Sequence, residues 1–173
     1  HLAEDAPDQV ILDVDELARD HEFYTVTGLT VSTDGHLLAY GEDTLSREIY
    51  TLRIRNLKTG QWLDEAIENT AGDYAWANDN RTLFYVTGDP VTLRPDRIYR
   101  HRLGDDPAND QLVYHETDPG FSVSVEKSRD DRWIILGASA TLSDEFWLIG
   151  ADVPDEKPRC ILARRPGHEY TVE

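Results

Sequence analysis

The sequence has 173 residues, 39% of them hydrophobic, and a mean hydropathy of −0.55, which suits one domain with a sizeable core. It has no apolar run near the ~20 residues of a membrane span, and its net charge of −17, from 34 acids against 17 bases, argues against binding nucleic-acid backbones. A single cysteine, Cys160, excludes an internal disulfide; with no visible signal peptide, it favours a cytoplasmic setting.

In chain order, the first predicted element is a short helix in "LDVDELARD". Asp13 caps it and Glu16 reaches back, as in a capping box. This helix belongs to a lead-in over residues 1–27. Four strands follow: Leu29–Ser32, Leu37–Gly41, Glu48–Arg55 and Trp62–Ala66. Asp34-Gly35 and Thr59-Gly60 supply turns, because glycine tolerates positive φ. In "YTLRIRNL", Leu52, Ile54 and Asn56 share one face while Arg53, Arg55 and Leu57 share the other. That period of two marks an antiparallel strand.

The pattern then recurs. "STDGHLLAY" (Ser32–Tyr40) aligns with "ANDNRTLFY" (Ala77–Tyr85) and "SRDDRWIIL" (Ser128–Leu136), placing Asp34, Asp79 and Asp130 at one position. A second anchor follows each copy: "REIYTL" at 47–52, "DRIYRH" at 96–101 and "DEFWLI" at 144–149. Units of roughly 40–50 residues with four short strands are the signature of β-propeller blades. The expected fold class is therefore all-β: about three four-stranded antiparallel blades, at 28–70, 71–118 and 119–166. Residues 167–173 read as the start of a further blade. The acidic stretches 103–111 and 152–158 read as blade-edge loops. With no methionine and a repeat that stops mid-pattern, the chain reads as a piece of a longer protein. Both end faces of such a piece are expected to be apolar and uncovered, and open to self-association.

Chemistry is sparse. No serine lies in G-x-S-x-G; "GFSVS" (Gly120–Ser124) lacks the second glycine. Cys160 has no nearby base, the six histidines lack H-E-x-x-H spacing, and Asp13 and Asp15 lack the rest of a calcium loop. No Gly-rich phosphate loop occurs. Asp34, Asp79 and Asp130 read as turn stabilisers, and Trp62, Trp76, Trp133 and Trp147 as core residues. No catalytic, metal-binding or cofactor-binding residue is assigned. The acidic balance reads as a solvated surface, or as an attraction for cationic ligands.

The segments "HEFYTVTGL", "EDTLSREIYTLRIRNLKTG", "WANDNRTLFYV", "VTLRPDRIYRHRLG", "SATLSDEFWLIGAD" and "GHEYTVE" together resemble oligopeptidase B (protease II) of the prolyl oligopeptidase family, from about Ile11 to Glu173. The resemblance implies a serine peptidase in which a seven-bladed propeller caps an α/β-hydrolase domain carrying a Ser-Asp-His triad. It implies cleavage of short peptides after Arg or Lys. This chain matches only the first part of the propeller, so the hydrolase domain is an expected partner outside it, short basic peptides are substrates of the parent, and the chain alone is expected to be inactive. The resemblance also singles out Glu22, in "RDHEFY", as an inter-domain gating residue that pairs with an arginine on the facing domain. A second reading is a TolB-like propeller acting as a protein-binding module, since the "STDGHLLAY" element suits both.

Overall fold

A computed structural model describes residues 9–173; the first eight residues of the 1–27 lead-in lie outside the described residues. The lead-in opens with the expected cap: Asp13 Oδ1 accepts from the Glu16 N–H at 2.9 Å. Helix α1 (Val14–Leu17) follows, then a 3-10 turn over Ala18–Asp20. The capping box is half-formed. Among the described residues Glu16 makes no return bond, and one turn of helix leaves little to nucleate.

Every strand that follows pairs antiparallel, with one 3-10 turn over Pro107–Asn109 between them. The first sheet runs in the order β1 (Thr25–Val31), β2 (Leu37–Asp43), β3 (Tyr50–Asn56), β4 (Trp62–Trp76), β5 (Thr82–Gly88), β6 (Pro95–Arg102) and β7 (Gln111–His115). The second contains β8 (Ser122–Lys127), β9 (Trp133–Ala140), β10 (Ser143–Gly150) and β11 (Arg159–Leu162), each paired with the next. One feature departs from expectation. The chain does not break between residues 70 and 71, where it reads as passing from one blade to the next. β4 is 15 residues long and changes partners there: Tyr50 of β3 faces Thr70, and Thr70 in turn faces Thr87 of β5. Asn69 and Gly72, at φ +61° and +98°, kink the strand at the switch without ending it.

The repeated turns show why the aspartates recur. Ser32, Ala77 and Ser128 each donate a backbone N–H across the turn, to Leu37 O, Thr82 O and Trp133 O, each at 2.9 Å. Gly35, Asn80 and Asp131 hold the same left-handed position, at φ +74°, +55° and +59°. In the first and third copies a serine hydroxyl donates to the turn aspartate: Ser32 to Asp34 at 2.6 Å, Ser128 to Asp130 at 2.7 Å. Ala77 has no hydroxyl. The second copy takes one from the far side of the turn instead, as Thr82 Oγ1 donates to Asp79 Oδ2 at 2.7 Å.

Two apolar layers hold the sheets together. Ala39, Leu52, Ile54 and Ile67 pack on Tyr74, Trp76, Leu83 and Tyr85; farther along, Phe84, Val86 and Ile98 pack on Val123, Val125, Ile134 and Leu136. Each fully buried large side chain contributes about 1.5–3 kcal/mol. Of the four tryptophans expected in the core, only Trp76 is fully buried. Trp62 is 43% exposed under the Arg55 guanidinium, Trp133 lies under Arg159, and Trp147 leans on Tyr114. The end faces are not bare either. The far side of the first sheet carries Tyr40, Glu42, Arg53, Arg55 and Trp62, and the lead-in is tied across it by Arg55 Nη1 to Ile11 O and by Tyr24 OH to Glu42. On the last sheet Tyr170 sits edge-on to Phe146. Residues 167–173 form no strand there.

The tightest packing joins β1 and β2 to β4. A Cβ on Gly28 (φ +64°) would lie 2.1 Å from Gly72 O, and one on Gly41 would lie 2.4 Å from the Tyr74 hydroxyl. Thr70 Oγ1 donates to Tyr50 O at 3.0 Å, so the Tyr74 hydroxyl is the donor in its 2.6 Å bond to Thr70. We expect Gly28→Ala to cost about 3 kcal/mol or more, since it forces backbone apart. Gly35→Ala, at φ +74° with open space around it, should cost only about 1 kcal/mol. Urea unfolding of the two variants checks this, and equal losses would contradict it.

Candidate functional site

The nearest thing to a catalytic constellation is buried. Asp110 Oδ1 bonds His101 Nδ1 at 2.8 Å while its Oδ2 accepts from the Tyr85 hydroxyl at 2.9 Å. His101 is fully buried, and its Nε2 has no partner. An Asp-oriented imidazole needs a nucleophile and an approach path to be useful. This one has neither, so it fastens the 103–110 connector to β6. Glu22 lies exposed in the bend before β1 and makes no hydrogen bond or ion pair among the described residues. Cys160 is exposed, and its Sγ approaches Glu145 Oε1 at 3.8 Å. Burial, and then the Glu145 charge, push the thiol's pKa up, away from a reactive thiolate. Among the described residues no group of three or more His, Cys, Asp or Glu side chains is arranged for a metal.

Two charged arrangements were not visible in the sequence. Arg164 bridges Glu116 and Glu145, with Nε 2.8 Å from Glu145 Oε2, while its guanidinium lies 3.9 Å from the Phe121 ring centre. Burial would lower the arginine's pKa, but the two carboxylates outweigh it and raise it. This clamp joins Glu145 of β10 to Glu116 just past β7, with Arg164 lying 48 residues from Glu116 and no local signal to betray it.

The second arrangement lies on the inner wall. β1 packs beside β4, and β4 beside β8, so the opening strands of successive repeat units line one side. In a propeller that side faces the central channel. Asp73 of β4 and Ser122, Ser124 and Glu126 of β8 are its exposed polar side chains. Asp73 touches solvent yet is surrounded by protein. That desolvation, and then the Glu126 charge, raise its pKa above the usual carboxylate value.

The comparisons with known proteins bear on what this wall belongs to. The profile described as "Prolyl oligopeptidase, N-terminal beta-propeller domain" matches residues 1–173. The chain belongs to the prolyl oligopeptidase family. It is 40% identical to dipeptidyl aminopeptidase BI of Pseudoxanthomonas mexicana, over 94% of this chain and 21% of that protein. It is 33% identical to protease 2 of Moraxella lacunata, over 99% and 25%. Its fold superposes on oligopeptidase B from Leishmania major with a TM-score of 0.86 at 26% identity, over 92% of this chain and 22% of that one. The chain therefore spans a quarter or less of these relatives' length. As a prolyl oligopeptidase propeller domain, it pairs in its homologues with a catalytic peptidase domain.

The wall and the turns predict opposite responses to pH. Asp73, with its pKa raised on folding, adds stability below about pH 4 that is lost as pH rises through its folded value. Asp73→Asn should therefore raise the melting temperature at pH 7, the gain shrinking as pH falls through the raised folded value and gone by about pH 4. Asp130 is held down to about 2 by the Ser128 hydroxyl and then by Arg132. Its contribution is present above the unfolded value and lost as pH falls toward 2. Asp130→Asn should lower the melting temperature at pH 7, with the deficit closing in acid. Calorimetry of both variants from pH 2 to 8 checks the signs.

Proposed function

We propose that this chain is the non-catalytic propeller part of an oligopeptidase B-like serine endopeptidase. Its role is to filter access, so that only short, flexible peptides reach an α/β-hydrolase domain that cuts them after Arg or Lys. The observation that carries this reading is the match along the whole chain to the family's propeller, together with a TM-score of 0.86 to an oligopeptidase B. The acidic inner wall supports the choice of basic peptides, because carboxylates facing a channel draw cationic ligands. In the same proposal residues 28–70, 71–118 and 119–166 are three blades of seven and 167–173 opens the next. Copies of the isolated chain associate through the parts of the end faces that the lead-in and Tyr170 leave open, such as Trp62, 43% exposed. The setting is cytoplasmic; no helix of the described residues is long and apolar enough to cross a membrane.

Glu22 completes the proposal. It stands at the end of the propeller where β1 begins, two residues before Tyr24, whose hydroxyl donates to Glu42 at 2.9 Å. A carboxylate there pairs with an arginine of the catalytic domain on closure and is hydrated on opening. The difference is roughly 1–3 kcal/mol, the size of a typical allosteric coupling.

Two outcomes are expected. The isolated chain, free of contaminants, hydrolyses no Arg- or Lys-ester reporter, because it carries no nucleophile elbow. In the full-length enzyme, Glu22→Gln lowers kcat/KM for an Arg-ending peptide several-fold and weakens its salt dependence, with the fold intact. Kinetics indistinguishable from wild type would make Glu22 plain surface.

A further inference from the structure

The repeats carry a second shared element at the end opposite their aspartate turns. Thr44-Leu45, Thr92-Leu93 and Thr141-Leu142 each sit in the loop joining the second and third strands of their unit: β2–β3, β5–β6 and β9–β10. Because the strands run antiparallel in the same order, the three loops project from one end, the end where β1 begins. Their leucines are exposed: Leu45 by 64%, Leu93 by 47% and Leu142 by 61%, with Val91 beside them at 87%. The opposite end presents acids instead, including Asp34, Asp79, Asp105, Asp130, Asp155 and Glu156, all exposed. A fragment this acidic and this polar at one end has no solvation reason to repeat an apolar tip at the other.

The loops are also held in shape. Asp43 accepts backbone N–H bonds from Leu45, Arg47 and Glu48 at 2.7–2.9 Å. Burial would raise its pKa, but these bonds outweigh that and lower it. Asp89 does the same for Val91 and Thr92 at 3.0 and 2.8 Å. Leu93 is fixed at φ +60°, a left-handed conformation rare for a bulky side chain, and Leu93 N–H bonds Asp89 O at 2.8 Å to keep it there. Strain that aims an apolar side chain at solvent has no use in the isolated fold. Between the first two loops a cleft of about 140 Å³ opens, lined by Glu48, Ile49, Asn69, Thr70, Ala71 and Leu93 among others. That is of the size that takes one benzene-sized group.

We infer that Leu45, Leu93 and Leu142 form one apolar rim on which the catalytic peptidase domain of the parent protein docks, with a side chain of that domain entering the cleft beside Leu93. The inference rests on the reading of the chain as an oligopeptidase propeller. The occupant follows from three observations. The relatives are about four times longer than this chain. The family's propeller is paired with a catalytic domain. The chain enters β1 at this same end, beside Glu42 and Asp43.

The test uses the full-length parent, comparing wild type with Leu45→Asp/Leu93→Asn/Leu142→Asp. Small-angle scattering reports domain closure, and cleavage of a short Arg-containing reporter peptide reports activity. We expect the triple variant to scatter as a more open particle and to lose about tenfold or more in kcat/KM, the scale of a domain coupling. Leu93→Asn alone separates docking from folding. Asparagine suits a left-handed backbone, so this variant should melt no lower than wild type and still scatter as more open. Arg81→Asp, at the acidic end, should leave scattering and rate unchanged. Wild-type scattering from the triple variant would overturn the rim, whether or not the parent cleaves the reporter. A concentration-dependent dimer that the variants dissolve would also overturn it, by assigning the rim to a second copy. A parent that closes through the rim but cleaves no peptide would sink the peptidase reading and leave the docking surface standing.

Discussion

The close approach of β1 and β2 to β4 is the constraint on which the rest depends. Gly28, Gly41 and Gly72 remove the side chains that would hold these strands apart, and Tyr74 fills the space with its ring and hydroxyl. Only with that contact made can Ala39, Leu52 and Ile54 reach Trp76 and Leu83. The same contact brings the opening strands of successive repeat units side by side, which sets the inner wall and the position of Asp73. The packing of the first units and the placing of the inner wall both depend on three missing Cβ atoms.

Charge closes what packing leaves open. Burying a carboxylate is costly unless it is paired or hydrogen-bonded, and the buried acids here are satisfied in two ways. Asp43 is held by backbone N–H groups of its own loop, a local device. Glu116, Glu145 and Asp96 are held by arginines: Arg164 for the first two, Arg97 at 2.9 Å for the third. Arg94 adds a tie from the second unit to the third through Phe121 O, and a bond within its own unit to Glu116 O. Removing one partner of such a buried set leaves an uncompensated charge, which is why these pairs matter more than the exposed ones.

What could be read from the sequence was local. The aspartate turns, the glycines at positive φ, the Asp13 cap and the all-β class all follow from residues within a few positions of one another. The whole-chain resemblance then supplied the family. What stayed hidden was long-range or contextual. Nothing near Arg164 announces Glu116, 48 residues away. The unit boundary read between residues 70 and 71 falls inside a continuous strand, which Asn69 and Gly72 kink without ending. Trp62 and Trp133 look like core residues by type, but an arginine over each ring lets them stay near the surface. The end faces look bare by analogy with a cut repeat, yet a short lead-in and Tyr170 lie across them.

The moved hydroxyl in the second turn has a hereditary consequence. Ser32 and Ser128 supply it from the near side, Thr82 from the far side. The two solutions are equivalent in place but not interchangeable in halves. A recombination event with its crossover inside the turn joins one solution to the other. In one direction the hybrid has both hydroxyls competing for a single aspartate. In the other it pairs Ala77 with Leu37 or Trp133 and has none. Grafting half a turn from one unit into another therefore changes how many hydroxyls its aspartate receives, while grafting a whole turn does not.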